Sequence, residues 1–176
     1  MSKHVPHARM KTFASVAGAA LSLAFGSAVQ ADNVAQQTVS FSIASISEIE
    51  VAAGTVTLNV VAPTAGASPS AATAGSTYDI TTNASAGGKK ITAALDSNMP
   101  SNVTLTVNLT APTAPTVSGS SQGAQTLSTT AVDVVTGIQG AAQTGVAINY
   151  SLTAAVSAQA TTTTQTKQVT YTIVDT

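Results

Sequence analysis

The chain predicts an all-β fold, an antiparallel sandwich of two sheets that follows an N-terminal leader. Three observations carry that reading. Apolar residues alternate with Thr, Ser and Asn in run after run, the period of a half-buried strand and not of a helix. Clusters of Gly, Pro, Asn and Ser separate the runs at short intervals. The polar phase of each run is hydroxylic rather than charged, and only 7% of the residues are charged, so a pleated surface is better satisfied than a solvated helix face.

The leader comes first. Lys3, Arg9 and Lys11 precede an apolar or small-residue run over 14–25, and Val29-Gln30-Ala31 supplies the small residues of a cleavage site. The run is shorter than the about 20 apolar residues that span a bilayer. Residues 1–31 therefore read as a secretory signal peptide, residues 32–53 as an N-terminal strand and hinge, and residues 54–176 as the sandwich domain. The expected location is secreted, extracellular or at the cell surface, with no membrane insertion once the leader is removed. With no cysteine in an oxidising compartment, packing and backbone pairing must hold the fold.

The strands follow in order. In residues 37–49, Val39, Phe41 and Ile43 share one phase, which then slips to Ile46 and Ile49, predicting a bulge or bend near Ala44-Ser45. Ala52-Ala53-Gly54 is a small-residue hinge. Val56, Leu58 and Val60 predict a further strand, and residues 63–75 a long connection. Tyr78, Ile80 and Thr82 lead into a hairpin loop over 83–89, and Ile91, Ala93 and Leu95 lead to a turn at Ser97-Asn98-Met99-Pro100. Val103, Leu105, Val107 and Leu109 form the cleanest alternation. A second long connection spans 111–123, and a short strand over 132–138 closes at Gly137. Val146, Ile148, Tyr150, Leu152, Ala154 and Val156 share a phase, as do Val169, Tyr171 and Ile173. The total is roughly seven to nine strands, with immunoglobulin-like or pilin-like topology as the expected arrangement.

Composition narrows function by exclusion. Beyond residue 31 there is no His, Cys, Arg or Trp, and the only cations are Lys89, Lys90 and Lys167. Most catalytic sites need one of the missing groups, so no enzymatic activity and no cofactor are expected. Three lysines face seven carboxylates beyond the cut (Asp32, Glu48, Glu50, Asp79, Asp96, Asp133 and Asp175), a net charge of −4. A basic footprint for nucleic acid is missing.

Candidate sites have mundane competitors. Asp96-Ser97-Asn98 offers oxygen ligands to Ca²⁺, but calcium takes about six to eight, and such turns bond their own backbone; no metal site is expected. Glu48 and Glu50 would share one strand face and read as solvated carboxylates rather than a glycosidase pair. Asn83, Asn102, Asn108 and Asn149 each open an Asn-X-Ser/Thr acceptor pattern, expected by chance in so Ser/Thr-rich a chain. A lysine could form an isopeptide bond with an Asn beside an acid, against the default of solvated loop lysines. Tyr78, Tyr150 and Tyr171 fall on the apolar phase and read as the edge of the core, not as a sugar platform.

Edges are the more telling feature. Soluble β domains guard edge strands with charge, and here the strands are hydroxylic and nearly uncharged. The stretch over 37–49 must be satisfied inside a sheet, either its own or, through the 52–54 hinge, that of a neighbour. The candidate donor residues are Val39, Phe41, Ile43, Ile46 and Ile49.

The stretches at 38–49, 90–100, 103–107 and 169–175 together resemble secreted bacterial pilin-like or surface-fibre subunits of the donor-strand type, in a cysteine-free form. The resemblance is one of style over most of the chain after the leader. The disulfide of the best-known usher-assembled pilins is missing. It implies a structural subunit of an extracellular filament, fimbria or biofilm matrix. Its partners would be copies of itself and, where the route is similar, export or assembly proteins. The alternative from a different class is a monomeric secreted adhesin or carbohydrate-binding module.

Overall fold

The computed structural model describes residues 34–85, 88–115 and 118–176. The leader reading at 1–31 lies outside the described residues. Two compact units divide the chain, residues 1–41 and 42–176. The described part of the first, residues 34–41, holds no helix or strand. The second holds, among the described residues, nine strands: β1 (Ser47–Val51), β2 (Ala72–Thr82), β3 (Lys89–Leu95), β4 (Val103–Leu109), β5 (Ser120–Ser121), β6 (Gln125–Thr126), β7 (Val132–Ile138), β8 (Ala141–Ala154) and β9 (Val169–Asp175). No helix occurs among the described residues.

The strands form two antiparallel sheets. One has the order β1-β2-β8-β4-β6 and the other β5-β7-β3-β9. The alternating residues meet between them. Tyr78, Ile80, Leu105, Val107, Leu109, Val146, Ile148 and Tyr150 come from the first sheet, and Ile91, Ala93, Leu95, Val134, Val135 and Ile138 from the second. Burying such side chains is what closes the sandwich, at about 25 cal/mol per Å² of apolar surface.

Topology corrects several local expectations. The loop over 83–89 is not a hairpin: β2 and β3 lie in different sheets, so it crosses the sandwich. The step from β7 to β8 crosses likewise. Among the described residues, β1 and β2 are the only successive strands that pair with each other. Residues 55–64 form no strand. Val56 and Leu58 do alternate inward and pack against the core, but no neighbouring backbone accepts their segment as a ladder. Conversely β2 begins at Ala72, inside the expected connection, because β8 is long enough to pair with it from Leu152 onward. Small residues with little strand propensity are here overridden by a partner.

Two irregularities have visible causes. The β2–β8 register shifts at Asp79, whose carboxylate accepts a hydrogen bond from the Gly145 amide at 2.8 Å. In β7, Val134 and Val135 are both buried, and the β3–β7 register shifts on either side of Ile91 to allow it.

Candidate assembly surface

The five candidate donor residues do not act as one strand. Ile49 belongs to β1, pairs with Ile80 and packs half-buried against the core. It is part of the domain's own first sheet. Ile46 precedes that strand, and its backbone is held by Asn83: the Ile46 amide donates to Asn83 Oδ1 at 2.8 Å, and Asn83 Nδ2 donates to the Ala44 carbonyl at 2.7 Å. This is where the sequence slips phase. Val39, Phe41 and Ile43 are in no strand and are 76%, 85% and 77% exposed. The alternation that predicts a strand over 37–43 is therefore present without a pairing partner among the described residues.

The edges of the two sheets differ in kind. β5 and β6 are edges of two residues each, too short to template another strand. The β1 edge turns Glu48 and Glu50 outward, a charge guard on five residues. The β9 edge has neither device. β9 pairs with β3 on one side, and among the described residues nothing pairs with the other. It runs seven residues and carries no charge before Asp175. Val169, Tyr171 and Ile173 point to the core but are only half-buried. β1 and β9, the long margins of the two sheets, approach each other at this side of the sandwich.

Other side chains here are structural. Tyr171 donates a hydrogen bond to the Tyr150 hydroxyl at 2.8 Å, linking β9 to β8 across the sheets. Tyr78 donates to the Thr110 carbonyl at 2.7 Å. Burial raises the pKa of all three tyrosines. Lys89 pairs with Asp175 at 2.5 Å and Lys90 with Asp133 at 3.0 Å, each tying β3 to a neighbouring strand. Asp96 accepts from Ser97 Oγ and from the Gln168 amide, so its carboxylate serves the turn before β9. Among the described residues no three His, Cys, Asp or Glu side chains come together as metal ligands.

Sequence reasoning singled out Asn83 only as an acceptor pattern and missed its hydrogen bonds to Ile46 and Ala44, because an Asn in a polar loop gives no sign of which distant backbone it meets. It also gave no ranking of the edges, which depends on which strand ends at the margin of a sheet. No known protein family, curated protein or solved structure matches the chain.

Proposed function

We propose that the chain is the structural subunit of an extracellular filament, fimbria or biofilm matrix, assembled by donation of residues 37–46 to the β9 edge of a second copy. The observation that supports this reading is one of complementarity. Val39, Phe41 and Ile43 form an exposed alternating segment with no strand partner among the described residues, in a chain whose β9 edge carries no charge before Asp175 and is unpaired among the described residues. An added strand would satisfy the outer backbone of β9, and every second side chain would cover Tyr171 and Ile173. Donor and acceptor are different surfaces, so the contact is heterologous and continues head to tail into an open fibre. Ile49 drops out of the donor set, since β1 already uses it. Export is proposed on the leader reading of residues 1–31, and the absence of catalysis on the lack of His, Cys and Arg beyond residue 31.

The test compares residues 32–176 with a form beginning at Ser47. The longer form should polymerise, seen by negative-stain microscopy and size exclusion. The shorter form should stay monomeric, bind a synthetic peptide of residues 37–46, and terminate growing fibres. A longer form that remains monomeric at millimolar concentration overturns the proposal and favours the solitary adhesin.

A further inference from the structure

The β1–β2 ladder ends in an unusual way. Its last paired rung is Ser47 with Thr82. The next would join Ile46 and Asn83, and half of it exists: the Asn83 amide donates to the Ile46 carbonyl at 3.4 Å. The return bond does not go to the Asn83 carbonyl. Instead Ile46 N–H donates to the Asn83 side-chain oxygen at 2.8 Å, and the same carboxamide donates onward to the Ala44 carbonyl at 2.7 Å. One side chain therefore imitates a stretch of strand backbone. It satisfies the root of the arm over residues 44–46 and frees β2 to turn away toward β3.

The root is also placed near the far end of the acceptor edge. Ile43, Ala44, Ser45 and Asn83 line the same concavity as Lys89 and Asp175, the ion pair at the end of β9. An arm that starts beside Asp175 and reaches back along its own β9 would run parallel to it. An arm arriving from a second copy is free to run antiparallel, the more stable pairing per residue.

We infer that Asn83 is a positioning residue that clamps the arm root and directs residues 37–43 to a second copy instead of to the subunit's own β9. The inference rests on the donation reading above. The carboxamide is required in both of its functions: the oxygen accepts from Ile46, and the nitrogen donates to Ala44.

Asn83→Ala and Asn83→Asp in the full chain as exported test this, with two readouts. Amide hydrogen exchange reads the clasp itself: Ile46 protection should fall about tenfold in Asn83→Ala, the size of one lost hydrogen bond. It should be largely kept in Asn83→Asp, which retains the acceptor. Polymerisation reads the consequence. Asn83→Ala should shift material from fibre to monomer, and that monomer should show new protection over residues 37–43 from self-pairing. Asn83→Asp, having lost the donor to Ala44, should fall between. Unchanged Ile46 exchange in Asn83→Ala overturns the clasp. Normal fibre yield with lost Ile46 protection overturns its directing role. A wild-type chain that forms no fibre overturns the directing role together with the donation reading, while Ile46 exchange still decides the clasp.

Discussion

At the scale of single residues, the three tyrosines hold the chemistry of this core. Desolvation raises Tyr78; it also raises Tyr150, partly offset by the hydrogen bond from Tyr171; and it raises Tyr171, reinforced by that same bond. Each folded phenol keeps its proton to a higher pH than the unfolded chain, whose tyrosines ionise near 10.0. Their contribution to stability is therefore fully present below pH 10.0 and declines as pH rises past it. Urea midpoints measured across the alkaline range should hold steady and then fall, with phenolate absorbance appearing only as the domain unfolds. Phenolate absorbance rising at pH 10.0 in the folded protein would contradict the buried placement. The tyrosine phase was legible in the sequence, because alternation alone assigns it inward. The Tyr171–Tyr150 bond was not, because it joins strands of different sheets.

At the scale of elements, the strands themselves were largely readable and their connections were not. The runs at β3, β4 and β9 appear where alternation places them, whereas β8 starts earlier, at Ala141, and ends at Ala154, which leaves Val156 outside the strand and exposed, and β7 breaks strict alternation at Val134-Val135. Alternation reports that one face of a segment is covered, whatever covers it. It cannot report pairing, which is why residues 55–64 alternate without being a strand and why the loop over 83–89 crosses between sheets. One crossover shows how tightly such links are specified. Gly119, just before β5, has φ +87, and a Cβ there would lie 2.8 Å from the Thr136 carbonyl oxygen and 2.9 Å from Ile138 Cγ1. The backbone oxygen belongs to β7 and cannot move away cheaply. Gly119→Ala should therefore cost about 1–3 kcal/mol in a denaturant titration, through both the strained conformation and the overlap. An unaffected midpoint would mean that β5 is free to detach from β7.

At the scale of the whole molecule, the buried core and the segment proposed for donation are different residues. Ile148 is fully buried on β8, the strand flanked by β2 and β4 in the first sheet. Ile148→Ala should lower stability by about 2–5 kcal/mol, the usual cost of emptying such a site. Phe41, 85% exposed, should behave in the opposite way. Phe41→Ser should leave stability unchanged to within about 0.5 kcal/mol in a urea titration, as surface substitutions do, and, on the proposed donation of the arm, should abolish fibre formation. A destabilised Phe41→Ser domain would show that the arm is part of the monomer's own core.

The sequence by itself determined the class of fold, the inward phase of most strands, the lack of His, Cys, Arg and Trp beyond residue 31, and the presence of an alternating segment at 37–43. These follow from local rules: a period of two, turn chemistry and composition. Only the tertiary structure decided that β9 is an unguarded margin, that Ile49 is already claimed by β2, and that Asn83 holds the arm root. Each depends on which distant backbone lies alongside, and residues far apart in the chain acquire that relation only when the two sheets close on one core.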